Sequence, residues 1–425
     1  MRTDEQALFA ALLVKPDSVL ELEIAADDFS TADGAQLFAA MQAVASRGAQ
    51  VDGPTLGQEL GDYRLVGQAM QAQGSPTNIA HYVGSIKKAS RLRRIQSLCD
   101  EIAKAADGNE ADPDALTDRV IADLSESGST GKNAWTMSEV MGDSLKAVSD
   151  AKETRRQGGT VGVSTGFRML DRVLGGLRDG RLYVCGARPK MGKTSWALAL
   201  QANAARAGYR VGFASSEMAA QECGLRWLSA ASGVPATSIQ TGELSDSDES
   251  RVAKASNLLS QYPIQIFDQA GVTPSRIRRQ CLAWQRRYGL DLLIVDYLQR
   301  LKPDDSGERR DLTVGEMTRA FKTAARDLNI PVVLLVQLSR GVDQRDDKRP
   351  LPTDMRDSGE IEQEADVVSF IYRDSVYNEV ADPNEAEFLI RMNRHGETGR
   401  VRLHFDPKYQ RWLDFDIAES GWEAA

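Results

Sequence analysis

Residues 182–208 read LYVCGARPKMGKTSWALALQANAARAG. The apolar run Leu182-Tyr183-Val184-Cys185 enters a turn with glycine and proline, then Gly192-Lys193-Thr194, then an alanine-rich helical stretch that stops at Gly208. Strand, loop and helix in that order predict a phosphate-binding loop, because loop N–H groups and a helix N-terminus converge on an anion. The cradle is Ala187, Arg188, Pro189, Lys190, Met191, Gly192, Lys193, Thr194 and Ser195. In it Lys193 would reach the β/γ-phosphate oxygens and Thr194 would hold Mg²⁺. The strict pattern asks for glycine five residues before Gly192, and Ala187 stands there instead.

Outward from this stretch, 425 residues exceed one ordinary core, so two or three domains are expected. A composition of 42% apolar and 27% charged residues is that of a soluble globular protein. No run approaches the length of a membrane span, and the acidic N-terminus is unlike a signal peptide, so a cytoplasmic protein with no membrane partner is expected. Cys99, Cys185, Cys223 and Cys281 lie far apart, which argues against a zinc site or a disulfide framework. Residues 1–130 hold 11 Lys and Arg against 20 Asp and Glu, so the whole net charge of −9 sits there. The remainder is neutral and free to carry basic strips, and the acidic average excludes no nucleic-acid partner.

The N-terminal part reads as helices: EQALFAALL, GAQLFAAMQAVASRG, PTLGQEL, and the long run NIAHYVGSIKKASRLRRIQSLCDEIAKAADG. In that run Ile79, Tyr82, Val83, Ile86, Ile95, Leu98 and Ile102 largely keep helical spacing. Asp112-Pro113 caps a further helix, DALTDRVIADLSES, and SGSTGKN (127–133) is a linker by composition. Next comes an amphipathic helix, TMSEVMGDSLKAVSDAKETRRQGG, striped by Met137, Val140, Met141, Leu145 and Val148. That stripe can pack on its own domain or on a neighbouring subunit; pattern alone leaves both open.

From Thr165 strands and helices alternate. Strands are expected at Leu182–Cys185, Val211–Ala214, Ile264–Phe267, Leu290–Val295, Pro331–Val336, Val367–Tyr372, Glu387–Met392 and Val401–Phe405. This predicts a mostly parallel sheet covered on both faces, ending in an antiparallel hairpin. Without a GxGxxG unit it reads as a RecA-type nucleotide domain rather than a dinucleotide fold. LDLLIVDYLQRL (290–301) places Asp296 at the end of a buried strand, where a carboxylate can hold Mg²⁺. VGFASSEM (211–218) ends a second strand at Glu217, a carboxylate suited to polarising water.

These segments together resemble the DnaB-type replicative helicases, which are hexameric RecA-like ATPases. ARPKMGKT (187–194) is similar to the family's first motif, and SSEM (215–218) to the next, implying that Glu217 is the catalytic base. VDYLQ (295–299) resembles its Walker B motif and assigns Mg²⁺ to Asp296. LNIPVVLLVQLSR (328–340) resembles the motif whose glutamine, here Gln337, senses the γ-phosphate. DMRDSGEIEQEADVVSFIYRD (354–374) is similar to a fourth, whose turn contacts single-stranded DNA, implying Arg356, Asp357 and Gly359. The family usually has glutamate at the place of Asp357. NRHG (393–396) implies that Arg394 is an arginine finger acting on the neighbour's nucleotide. The family's lysine two residues earlier is absent, with Met392 in its place; beside it Arg391 points to the opposite face if the strand is regular.

The resemblance further implies a homo-hexamer moving 5′ to 3′ on single-stranded DNA, and an N-terminal collar that recruits primase. It also implies docking of the 137–156 helix on the adjacent subunit, and leaves contacts to a helicase loader open. The division expected is a helical collar at 1–126, a linker with a docking helix at 127–164, and a RecA-like ATPase at 165–425. The polar stretch KPDDSGERRDLTVGEMTR (302–319), with Arg309 and Arg310, is read as a second channel loop or as a surface insertion. RIRRQCLAWQRRYG (276–289) and KKASRLRR (87–94) are read as solvated faces. Two other functions remain in view. A RecA-class strand-exchange recombinase is opposed by the collar and the DMRDSGEIEQEAD motif. A nucleotide-switched scaffold is opposed by Glu217 together with Arg394.

Overall fold

The computed structural model describes residues 2–22, 24–107, 135–303, 310–355 and 358–415. The expected helix DALTDRVIADLSES, the linker at 127–133, and Arg309, Arg356 and Asp357 lie outside the described residues. The chain divides into two units, Met1–Asn133 and Ala134–Ala425.

In the first unit the helices are α1 (Thr3–Val14), α2 (Ala32–Ser46), α3 (Gly53–Leu60), α4 (Tyr63–Gln71) and α5 (Ile79–Asp107). Side-chain oxygens of Thr31 and Asp52 cap α2 and α3. Leu8, Phe9, Leu12, Leu37, Phe38 and Met41 form the fully buried centre of this unit. The interval after PTLGQEL forms α4 and buries Leu65, Val66 and Ala69. On α5 Ile79, Ile86 and Ser90 are buried, while Ile95, Leu98 and Ile102 are half-buried.

The second unit begins with α6 (Met137–Arg156), α7 (Arg168–Leu174), β1 (Leu182–Ala187), α8 (Lys193–Arg206) and β2 (Val211–Ser215). It continues with α9 (Ala220–Ser232), α10 (Ala236–Thr241), α11 (Asp246–Leu259), β3 (Ile264–Asp268), α12 (Pro274–Arg287) and β4 (Leu292–Asp296). Last come α13 (Arg310–Leu328), β5 (Val332–Gln337), α14 (Ser358–Glu364), β6 (Val367–Tyr372), β7 (Glu385–Asn393), β8 (Gly399–Asp406) and β9 (Arg411–Asp414). All eight expected strands form, and β9 is added.

The strands make one sheet in the order β3-β2-β4-β5-β1-β6-β7-β8-β9. From β3 to β6 every pairing is parallel, and β1, β2, β4 and β6 are buried throughout, as strands covered on both faces must be. From β6 to β9 the pairings are antiparallel, and β8 alternates between buried and exposed positions. This is the mixed α/β architecture expected from the sequence, with a helical region before it in the chain.

Two readings are corrected. The stretch 302–319 is not a loop throughout, because α13 begins at Arg310; its buried positions Val314, Met317, Phe321 and Leu328 keep helical spacing. Strand β7 is also not regular. Val368 pairs with Met392 but Ser369 pairs with Ile390, so a bulge falls at Arg391 and its side chain does not follow simple alternation. Arg391 instead donates from Nε to the Pro350 carbonyl at 3.3 Å.

Candidate functional site

Parallel strands bring their carboxyl ends to one edge of the sheet, and that geometry assembles the site. Ala187 at the end of β1 lies in register with Gln337 at the end of β5. Ser215 at the end of β2 lies in register with Asp296 at the end of β4, and Glu217 follows two residues later. Four segments far apart in sequence thus meet beside the loop at 188–192.

The loop enters α8 through Gly192, whose φ of 90° is left-handed. A side chain there would be strained, and a Cβ would lie 2.9 Å from Trp412 and 3.3 Å from Phe405. Glycine is therefore required twice over. Lys190 also takes a positive φ of 70°. The first-turn N–H groups of α8 have no partner within the helix, and its N-cap receives no side-chain hydrogen bond. Amides so placed favour an anion.

Lys193 donates from Nζ to Asp296 Oδ1 at 2.9 Å, and Thr194 donates from Oγ1 to Asp296 Oδ2 at 2.7 Å. Both carboxylate oxygens are thus engaged, and Asp296 is buried. The Lys193 ammonium also lies 4.0 Å from the centroid of the Tyr297 ring. The Glu217 side chain is exposed and accepts no hydrogen bond among the described residues. Gln337 is held through its backbone: its N–H donates to Gln299 Oε1 at 3.1 Å, and Gln299 Nε2 donates back to the Gln337 carbonyl at 3.3 Å.

A cavity of about 370 Å³ is lined by Lys193, Thr194, Glu217 and Gln337, together with Arg188, Pro189, Lys190 and Ser195. Met191 is the exception among the loop residues, since its side chain is buried in the core. The Arg188 guanidinium is already engaged, with Asp343 Oδ2 at 2.5 Å and the Leu338 carbonyl at 3.0 Å. That pairing, with help from Tyr377, holds the Asp343 carboxyl below the usual carboxylate range. A larger cavity of about 650 Å³ lies between α8, α9, α11 and β9, but it contains neither Lys193 nor Asp296. Chemistry, rather than size, places the site in the smaller one.

Sequence reasoning missed Arg226, Arg373, Phe405, Pro407 and Gln410 in the smaller cavity. Arg226 on α9 lines it. Arg373, just past β6, lines it too, donating to the Lys190 carbonyl at 3.2 Å and lying 4.7 Å from the Phe405 ring. Burial lowers the pKa of this guanidinium. Gln410, in the β8–β9 turn, accepts a 2.6 Å hydrogen bond from Ser195 Oγ, and Phe405 completes the wall. Arg373 was legible as the arginine of FIYRD (370–374), whereas Phe405 and Gln410 became visible only once β9 folded back.

Arg394 is not part of its own chain's cavity. It is exposed in the β7–β8 turn, where Nη2 donates to the carbonyls of Glu362, at 3.1 Å, and Gln363. Gly359 is the second residue of α14, and nothing within 4 Å would meet a Cβ there. On α6 no residue is buried, and Met137, Leu145 and Val148 are exposed at 73%, 72% and 67%. The stripe therefore does not pack on its own unit. No described helix is long and apolar enough to cross a membrane.

Residues 162–414 match the DnaB-like helicase C terminal domain, and residues 2–94 match the DnaB-like helicase N terminal domain. The chain is 33% identical to the replicative DNA helicase DnaB of Geobacillus stearothermophilus, over 97% of this chain and 94% of that protein. It is 32% identical to the replicative DNA helicase DnaC of Bacillus subtilis, with the same coverage of 97% and 94%. Among solved structures, a DnaB-like replicative helicase described with its interactions with primase superposes with a TM-score of 0.73 at 26% identity, covering 98% of this chain and all (100%) of the other. A second solved structure, of an ATPase domain, superposes with a TM-score of 0.63 at 31% identity, covering 67% of this chain and 100% of that domain.

Proposed function

The chain belongs to the family of DnaB-like replicative helicases, and from that premise we propose how its residues divide the work of ATP-driven DNA unwinding. The activity itself, ATP-dependent helicase action in DNA replication, comes with the family. The loop 187–195 and the α8 amides hold the triphosphate, with Lys193 moving onto the β/γ oxygens. Glu217 orients and deprotonates the attacking water, and Gln337 reads the γ-phosphate from a backbone fixed by Gln299.

Mg²⁺ fits the donor set. Thr194 offers a hydroxyl and Asp296 a carboxylate 2.7 Å apart, the hard oxygen ligands this ion prefers. Among the described residues no group of three or more His, Cys, Asp or Glu could hold a metal, which suits an ion that keeps water and phosphate ligands. Bound there, Mg²⁺ neutralises phosphate charge.

Arg394 completes the site of the adjacent subunit in a homo-hexamer, a reading supported by its exposure and by its place outside its own cavity. Helix α6 docks on that neighbour through Met137, Val140, Met141, Leu145 and Val148. Arg356, Asp357 and Gly359, with Arg309 and Arg310, meet the phosphates of single-stranded DNA, and movement is 5′ to 3′. Residues 1–126 form the collar that recruits primase, 127–164 the linker, and 165–425 the motor; a loader is a further partner.

The observation that carries this reading is the closed Lys193–Asp296–Thr194 set, with Glu217 and Gln337 on the same sheet edge. Strand displacement on a fork with a free 5′ tail tests it. The wild type unwinds the fork with ATP and Lys193→Ala does not. Homology-dependent strand pairing without fork unwinding would favour the recombinase instead.

A further inference from the structure

The turn that carries Arg394 is fastened to the segment that follows the DNA-contacting motif. Four bonds do this. The Arg394 backbone N–H donates to the Asp366 carbonyl at 2.9 Å. The Arg394 guanidinium donates to the last carbonyls of α14, those of Glu362 and Gln363. His395 Nε2 lies 3.3 Å from Asp366 Oδ1.

Asp366 is a junction in its own right. Its Oδ2 accepts the Leu182 N–H at 2.7 Å and the Lys322 ammonium at 2.6 Å, tying the start of β1 to α13. Burial pushes this carboxyl up, but Lys322 and the Leu182 N–H outweigh it, and its pKa is held below the usual carboxylate range. The carboxylate is therefore a charged, fixed acceptor. Oδ2 is fully used, and Oδ1 has one side-chain donor in the His395 ring.

Helix α14 is equally fixed on its other side. Arg319 on α13 pairs with Glu364 at 2.9 Å, and a Cβ at Gly315 would collide with the Glu360 carboxylate. Eight residues, 359 to 366, thus join Gly359 to the anchor of the arginine turn as one packed piece. A displacement of α14 must move both its carbonyls and the Asp366 acceptor.

We propose that His395 is a positioning residue which, by its bond to Asp366, locks the Arg394 turn to α14, so that DNA contact at the start of α14 is transmitted to the arginine. This rests on the readings above that Arg394 acts in trans and that Gly359 contacts DNA. His395 touches no nucleotide; it works by holding Arg394. The ring needs only an N–H at Nε2, so a side-chain amide of similar reach can replace it, while a methyl group cannot.

The test measures steady-state ATPase of the full-length assembled protein with and without single-stranded oligonucleotide. His395→Ala, His395→Gln and Arg394→Ala are compared with wild type, and assembly is checked by light scattering. In His395→Ala, DNA stimulation of kcat falls about tenfold while KM for ATP and assembly are unchanged, because a misplaced group costs rate rather than ground-state binding. His395→Gln restores most of the stimulation. Full stimulation in His395→Ala, or a loss that appears as raised KM or failed assembly, overturns the proposal. If Arg394→Ala loses stimulation and His395→Ala does not, only the positioning role fails. If Arg394→Ala keeps it, the trans reading fails and takes the proposal with it.

Discussion

Two cations in this chain are held in opposite ways. Lys193 is half-buried against Asp296, its charge matched by a carboxylate that is itself 1% exposed at the side chain. Arg394 sits in an exposed turn, and the partners of its guanidinium are two neutral backbone carbonyls. A charge whose work lies inside the chain is neutralised inside it. A charge left on neutral acceptors keeps most of its field for something outside, which on the proposed reading is the neighbour's triphosphate.

The contrast can be broken most severely at Arg394. Arg394→Ala should lower kcat by about 10³-fold or more, the usual worth of an arginine finger, while ATP binding to the mutant changes little. Equilibrium titration with a fluorescent ATP analogue beside steady-state ATPase separates the two, and loss of binding would place Arg394 in its own chain's site. Lys193→Ala comes next, with hydrolysis reduced by about 10²- to 10³-fold and binding weakened as well, since its contact is made before and during the reaction.

Helix α6 sharpens the comparison, because its exposed stripe is the apolar counterpart of the unspent charge on Arg394. Leu145→Glu combined with Val148→Glu should shift sedimentation toward monomer by raising the subunit dissociation constant about 100-fold, with the α/β unit folded as before. An unchanged sedimentation profile would mean that the stripe is not an interface. The smallest effect is expected at Gln299→Ala. Loosening the backbone of Gln337 should cost about tenfold in kcat at constant KM, read from the same ATPase assay.

Much of this was legible in the sequence, for physical reasons that differ by region. The parallel half declared itself because strands buried on both faces are short, purely apolar runs, and because phosphate chemistry demands Gly192-Lys193-Thr194 between a strand and a helix. Asp296 was legible as a carboxylate ending such a run. Glu217 and Gln337 are single polar residues after strands, and only resemblance to a family singled them out. The wall formed by Phe405 and Gln410 depends on β9, a four-residue strand too short for its own periodic signal. The bulge at Arg391 arises from pairing with β6, which no local pattern encodes. The exposure of the α6 stripe was likewise undecided by its pattern, since amphipathicity shows that a face must be covered without saying by what.

The central claim is that each hydrolysis site is shared, with the phosphate loop from one subunit and Arg394 from the next. It is tested most directly by mixing Lys193→Ala and Arg394→Ala proteins, each inactive alone, under conditions of subunit exchange. Random assembly places an intact loop against an intact arginine at about a quarter of the interfaces, so ATPase activity should reappear at roughly that fraction of wild type, lowered further if neighbouring sites must act together. Mixed assemblies that remain as inactive as either parent would contradict the account, because loop and arginine would then belong to the same subunit's site.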